Sequence, residues 1–265
     1  MNLADREWRL ITEETWHGPT NMALDEVAAR TAADDGVRTA RVYRWGPSTL
    51  SLGYNQAPES VDWGFCDDAG VTVTRRPTGG GGIYHDYTGD ISYTVVAPAD
   101  ELPGDLMDAY HVLCQPILDA LSRMGIDADY VDESLPEIHQ PACYLRELHP
   151  AHDIVADGKK ISGNAQYRQR DAVIQHGSLS YSLETDRHLG VFSDPPSSEA
   201  FEGRVTSIRE LTGLARADAV AAVEDALADW ADADSGEWRD AELADARDLA
   251  DETYATDAWT REKTT

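Results

Sequence analysis

The chain has 265 residues, 42% of them hydrophobic, and carries 49 acidic against 22 basic side chains, a formal net charge of −27. That length can bury one large core, and with no run of about 18 apolar residues a membrane span is not expected. Acidic residues are scattered along the whole chain and no basic patch is visible, which excludes an electrostatic footprint for nucleic acid. The scatter reads as adaptation to a high-salt cytosol, where a Debye length of about 3 Å at 1 M salt screens self-repulsion. The N-terminus shows no basic region followed by an apolar stretch, so no signal peptide is expected. Three cysteines, Cys66, Cys114 and Cys143, form neither an even framework nor a CxxC zinc pattern, and the cytoplasm is the default compartment.

In chain order, the pattern predicts a helix over Asn21–Ala32, with Asn21 as its cap. Ala40–Trp45 and Thr49–Gly53 read as strands joined by a Gly-Pro-Ser turn. Val71–Arg76 and Ile91–Val96 read as further strands, and the segment T-G-G-G-G-I-Y-H-D between them is too glycine-rich for a regular element. Apolar residues from Tyr110 to Met124 recur at helical spacing, which predicts a helix over Leu106–Met124 kinked or started by Pro116. Ile154–Ala156, an Asp157-Gly158 turn and Lys159–Gln166 read as a hairpin. Val173–His176 and Leu179–Leu183 extend the sheet, and Ala217–Trp230 and Asp240–Asp251 read as helices. Hairpins outnumber crossovers, so the expected fold is α+β, with a largely antiparallel mixed sheet flanked by helices.

Only three lysines occur, and two of them, Lys159 and Lys160, are adjacent in D-G-K-K-I-S-G-N-A-Q. A lysine offers a compact charge that an arginine replaces poorly. Strict alternation puts Lys160, Ser162, Asn164 and Gln166 on one polar face, read as a cleft floor. Lys159, Ile161, Gly163 and Ala165 fall on the other, core-packed face, with Lys159 free to snorkel to water. A cleft-facing Lys160 would stabilise charge during acyl activation or acyl transfer.

The run Gly79–Gly82 after Arg75-Arg76-Pro77-Thr78 lacks Cβ atoms and can present backbone N–H groups to an anion. Arg75 and Arg76 should point to opposite faces, so one of them reaches that concavity. Cys143 allows three readings. It could form a thioester beside a cation, be a small buried hydrophobe, or, with His139, His149 and His152 nearby and His139 four residues away, share a zinc ion. His85 and His176 are site-lining candidates. Cys66 and Cys114 read as structural.

Four segments occur in one order: R-R-P-T-G-G-G-G-I-Y-H-D (Arg75–Asp86), G-D-I-S-Y (Gly89–Tyr93), the lysine hairpin (Asp157–Gln166) and Q-H-G-S-L (Gln175–Leu179). Together they resemble the lipoate–protein ligase A and octanoyltransferase family, and N-M-A-L-D-E, Y-R-W-x4-L-S-L-G-Y and the segment Ala246–Trp259 extend the likeness over nearly the whole chain. The resemblance implies one catalytic domain over residues 1–265, of the type shared with biotin–protein ligases, with a helical segment from about 205 to 265. It implies acylation of a lysine on lipoyl-carrier domains of 2-oxoacid dehydrogenase or glycine-cleavage proteins, from lipoate or an octanoyl donor. A biotin-type G-R-G-R-x-G-R loop is absent.

The family's ligases form an acyl-adenylate, with ATP and Mg2+ as substrates. Its thioester transferases need neither. By resemblance Lys160 is the catalytic lysine. Arg76, Thr78, Gly79, Gly80, Gly81 and Gly82 would hold the substrate or adenylate, with His85, Asp86, Ser162, Gly163, Asn164, Ala165 and His176 around it, and no metal site. An ATP-dependent ligase is the first reading, and an octanoyl or lipoyl transferase through Cys143 the alternative. Cys143 stands in the A-C-aromatic context of the transferases. Its separation from Lys160, 17 residues (160 − 143), is roughly two longer than theirs. The chain lacks the extra C-terminal domain of longer ligases, which raises an accessory subunit as a partner of a ligase.

Overall fold

A computed structural model describes residues 6–150, 152–169 and 171–264. The expectations for Met1–Asp5, including the reading of the N-terminus, lie outside the described residues. The chain begins with strand β1 (Trp8–Trp16), helix α1 (Gly18–Asp35), β2 (Arg38–Trp45) and β3 (Thr49–Leu52). There follow α2 (Trp63–Asp68), β4 (Thr72–Arg75), β5 (Ile83–His85), β6 (Asp90–Pro98), α3 (Leu106–Arg123) and β7 (Ala128–Tyr130). The hairpin strands are β8 (Asp153–Ala156) and β9 (Lys159–Gln169), and β10 (Ala172–Ser180) runs back beside β9. Helices α4 (Thr185–Gly190), α5 (Ser198–Arg204), α6 (Ile208–Thr212) and α7 (Arg216–Ala231), the short β11 (Asp234–Ser235) and α8 (Asp240–Leu249) complete the main elements. Two π-helical turns, Ala250–Tyr254 and Ala258–Glu262, follow.

The large sheet has the order β11-β1-β2-β6-β10-β9-β8-β7, and β4-β3-β5 form a small one. Only the β11–β1 and β1–β2 pairings of the large sheet are parallel. Alternation along β6 explains the layering. Ile91, Tyr93, Val95 and Ala97 pack with Leu113 and Ile117 of α3 and Val223 and Leu227 of α7. Val96, on the opposite face, packs with Met22, Leu24 and Val27 of α1 and Ala246 of α8. Leu50, Leu52 and Tyr84 of the small sheet form a third cluster with Phe192 and Phe201. The architecture is α+β, as expected, and no described helix is long and apolar enough to cross a membrane.

Several boundaries differ from the sequence reading. Asn21 is not a cap: α1 starts at Gly18 with Pro19 in its first turn, and buried Asn21 donates from Nδ2 to the carbonyls of Trp16 and Arg44. Helix α3 does begin at Leu106, as expected, capped by Asp105, whose carboxylate accepts the Met107 and Asp108 N–H groups, and it runs on past Pro116, which therefore does not mark its first turn. The two strands flanking Gly-Pro-Ser do not pair with each other, because β2 lies in the large sheet and β3 in the small one. Ile83–His85, inside the segment read as irregular, pairs with β3. The last turns reach back to β4: Arg75 donates from Nε and Nη2 to the Thr260 carbonyl, and Trp259 Nε1 donates to the Arg75 carbonyl.

Candidate active site

The hairpin turn forms because Asp157 (φ 50°) and Gly158 (φ 72°) both take positive φ, the geometry of a type I′ loop. Beyond it the β8–β9 register slips: Val155 faces Lys160 and Ile154 faces Ser162, which leaves Ile161 as the extra residue of a β-bulge. The bulge shifts the alternation by one. Ile161 and Ser162 both turn inward, Ile161 into the cluster under α3 and α7. Lys160 keeps the opposite face, which it shares with Gly163 and Ala165.

Strict alternation therefore assigned half the strand wrongly. Asn164 lies on the inner face, where it accepts from the Tyr93 hydroxyl at 2.7 Å, and the Gln166 N–H donates to the Tyr110 hydroxyl at 2.7 Å. Both touch the cavity only where β9 runs past the end of β8. Ser162 is fully buried and does not line it. Lys159, half-buried at the hairpin end, reaches the surface, where its ammonium donates to the Glu202 carbonyl at 2.8 Å.

Lys160 is buried. Its Nζ lies 2.6 Å from Asp153 Oδ1, 3.2 Å from the Cys143 carbonyl and 3.9 Å from Cys143 Sγ. Burial alone lowers its pKa, but negative charge on Cys143 and Asp153 outweighs that and leaves it above the ordinary lysine value. Burial likewise acts to raise Asp153, and Lys160 overrides it, holding that carboxyl well below the usual range. A Cβ on Gly163 would stand 3.1 Å from Lys160 Cε, 3.2 Å from Nζ and 3.7 Å from Cys143 Sγ, so glycine here lets the lysine and cysteine approach the strand.

Cys143 arrives from the long β7–β8 connection, which is stitched to itself by Leu135–Leu148 and Ile138–Leu145 backbone bonds. Its N–H donates to the Gly82 carbonyl at 2.8 Å, and the Gly82 N–H donates to the Pro141 carbonyl at 2.6 Å. The glycine run is thus a docking strip for the cysteine loop. Gly81 and Gly82 hold that loop and do not line the cavity. Gly79 and Gly80 do, with Thr78 and Arg76. Asp86 is also outside: it accepts the Thr88 and Gly89 N–H groups and closes the β5–β6 turn.

Arg76 is fully committed to the protein. Nε donates to Thr78 Oγ1, Nη1 to the Ser51 carbonyl and hydroxyl, and Nη2 to the carbonyls of Gly79 and Gly81. A guanidinium has five N–H donors, so Arg76 shapes the loop from beneath and has none left for a ligand. Arg75 points away, to Thr260 and the carbonyls of Gly53, Tyr54 and Gln56, as the alternation required.

Two buried histidines complete the floor. His85 stacks on Trp45 with ring centroids 3.9 Å apart, meets Ser51 Oγ through Nε2 at 2.9 Å and Asp90 Oδ2 through Nδ1 at 3.1 Å. Burial pushes His85 below the ordinary imidazole range, against the pull of Asp90. His176 meets Thr78 Oγ1 at 3.1 Å and Asp25 Oδ2 at 3.4 Å, and Asp25 pairs with Arg41 at 3.0 Å. The sequence reading missed Asp153, Ser51, Asp90 and Asp25, and it raised His152 only as a possible zinc ligand, whereas the ring lines the cavity beside Asp153. Asp153 carried one signal: it lies across the hairpin from Gly163, two residues from the cross-strand partner of Lys160.

Lys160, Cys143, Asp153, Ser51, His85 and His176 meet in one cavity of about 230 Å³, whose wall also includes Met22, Tyr43, Ile83, Tyr110, Arg146, Glu147 and His152. No three His, Cys, Asp or Glu side chains among the described residues are grouped to hold a metal ion, and His139 packs against Phe192. A half-buried thiol beside a fixed ammonium, at the mouth of a partly apolar cavity, can take up and release an acyl group.

The profile of the lipoyl protein ligase A/B catalytic domain matches residues 17–230. Octanoyltransferase LipM of Kyrpidia tusciae is 31% identical over 275 aligned positions, covering 97% of this chain and 99% of the relative. Octanoyltransferase LipM of Bacillus subtilis is 29% identical, covering 77% and 78%. A solved lipoate-protein ligase A bound with ATP superposes with a TM-score of 0.79 at 25% identity, over 97% of this chain and 99% of that one. The bi-partite lipoate protein ligase of Thermoplasma acidophilum, at 23% identity and a TM-score of 0.78, shares the fold over 96% of both chains. The chain belongs to the lipoyl protein ligase A/B catalytic-domain family, the enzymes of protein lipoylation.

Proposed function

We propose that this chain is an octanoyltransferase. It takes an octanoyl group from an acyl-carrier thioester onto Cys143 and passes it to a lysine of a lipoyl-carrier domain. The observation that carries this reading is the Lys160 ammonium 3.9 Å from Cys143 Sγ and 3.2 Å from its carbonyl, inside the cavity. The Cys143 thiol releases its proton to solvent and attacks the donor carbonyl as the thiolate, the C–S bond to the carrier breaks, and the carrier thiolate leaves and takes a proton from solvent. The acceptor amine then attacks the Cys143 thioester and the sulfur leaves. Lys160 stabilises the sulfur anion and the oxyanion of each tetrahedral intermediate. Removing one such donor costs about 10²–10³ in rate.

The curated relatives named octanoyltransferase support transfer over the ATP-dependent ligation that the sequence first suggested. The charge of the cavity supports it too. Arg76 uses its donors on its own loop, Lys160 is neutralised by Asp153, and Glu147 adds an anion beside Arg146. A neutral thioester suits that wall better than a triphosphate with its Mg2+. The acceptors fitting this chemistry are lipoyl-carrier domains of 2-oxoacid dehydrogenase and glycine-cleavage proteins.

The test is an incubation with octanoyl-acyl carrier and an apo lipoyl domain, without ATP, read by intact mass. Expected are a mass gain of one octanoyl group on the enzyme, lost in Cys143→Ser, and the same gain on the acceptor. Modification that requires ATP and a free acid and survives Cys143→Ser would establish the ligase instead.

A further inference from the structure

We propose that His152 is the base that takes the proton from the acceptor amine when it attacks the Cys143 thioester. This rests on the transferase reading. A lysine amine has an ordinary pKa of about 10.4 and is protonated near neutral pH, so the second half-reaction needs a base at the thioester.

Three histidines line the cavity: His85, His152 and His176. In His85 both nitrogens are engaged, by Asp90 and Ser51, and the ring is covered by Trp45. His176 is engaged at both nitrogens by Asp25 and Thr78. His152 differs. Its Nδ1 faces Asp153 Oδ2 at 3.4 Å, its side chain is 35% exposed, and among the described residues its Nε2 has no hydrogen-bond partner.

Asp153 joins this histidine to the reacting pair. Its Oδ1 holds Lys160 Nζ at 2.6 Å, and Lys160 faces Cys143 Sγ. Its Oδ2 faces His152 Nδ1 and also accepts the His149 N–H at 2.8 Å. A carboxylate at Nδ1 selects the tautomer with the proton on Nδ1 and leaves the Nε2 lone pair for an incoming proton. The titratable groups packed against the ring are Asp153, His149, stacked at 5.3 Å, and Tyr110 of α3, at 5.7 Å, with Lys160 across Asp153. Asn164 Nδ2 donates to the His152 carbonyl at 2.8 Å and fixes the backbone beneath it.

The balance is simple. The acceptor ammonium gives one proton to His152 Nε2, which passes it to water; the freed lone pair bonds to the thioester carbon, the second N–H proton leaves through the same Nε2, the C–S bond breaks, and Cys143 leaves as a thiolate beside Lys160. His152 returns the proton to water from its exposed edge.

The experiment uses the full chain, charged at Cys143 with octanoyl-acyl carrier, separated from the donor and mixed rapidly with apo lipoyl domain over a pH series. In His152→Gln the transfer rate falls about 10²-fold more than the acylation rate. The deficit narrows as pH rises toward the acceptor lysine's own pKa, and added imidazole partly restores transfer. Equal loss in both half-reactions, or a constant deficit at all pH values, would overturn the assignment. A wild-type enzyme that never acquires octanoyl on Cys143 would instead sink the transferase reading.

Discussion

Replacing Asp153 by asparagine tests how Lys160 is kept charged. The carboxylate and ammonium are 2.6 Å apart, with side chains only 2% and 3% exposed. Breaking a buried pair from one side costs about 3–5 kcal/mol, because the remaining charge is uncompensated. If Lys160 sheds its proton instead, at about 1.36 kcal/mol per pKa unit the cost at pH 7 from an ordinary pKa of about 10.4 is about 5 kcal/mol. Both routes predict a loss of about 3–5 kcal/mol in urea unfolding at pH 7.

The pH signs follow from the two shifts. Lys160 is raised, so its contribution is complete below the unfolded lysine pKa and is lost as pH climbs through the higher folded value. Asp153 is lowered, so its contribution is complete above the unfolded carboxyl pKa and is lost as pH falls through the lower folded value. The wild-type pair therefore stabilises the fold across the neutral range and fails only at the extremes. In Asp153→Asn, burial acts on Lys160 with less opposition, its pKa falls, and thioester formation gains a descending alkaline limb at lower pH than wild type. Unfolding within about 0.5 kcal/mol of wild type, with an unchanged pH–rate profile, would refute the argument.

Gly163→Ala places a methyl 3.1 Å from Lys160 Cε without requiring positive φ. Displacement of the ammonium should lower kcat about tenfold or more, with little change in thermal midpoint, in a steady-state assay. Arg76→Lys exchanges a five-donor fork for three rotatable donors. It leaves carbonyls of the glycine loop unpaired and should destabilise by about 1–3 kcal/mol, with faster amide exchange at Gly80–Gly82.

The reach of sequence reading here follows from which interactions are local. The Asp157-Gly158 turn, the strand pairings on either side of it and the helical face of α3 all follow from spacing, and their elements appear near the expected positions. The bulge at Ile161 does not: it depends on pairing with β8, and one extra residue moved Ser162 off the cavity face and Gly163 onto it. Arg76 reads as a ligand-binding cation in one dimension. Its commitment to Ser51, Gly79 and Gly81 appears only when β3 and the glycine run are brought together. The pairing of His176 with Asp25 is long-range as well, the two lying 151 positions apart.

The anchoring of Arg75 by the Thr260 carbonyl has a consequence for synthesis. The two residues are 185 positions apart, so at about 5–20 residues per second roughly 10–40 s separate their emergence from the peptidyl-transferase centre. During that interval a nascent chain holds β4 and the glycine run but not the carbonyl that fixes the arginine between them and the final turns. The seating of Arg75 is consequently completed only after every residue that lines the cavity has been made. A chain arrested before Thr260 would have every strand of both sheets and Arg76 already holding the glycine run, and would leave Arg75 with only the carbonyls of Gly53, Tyr54 and Gln56.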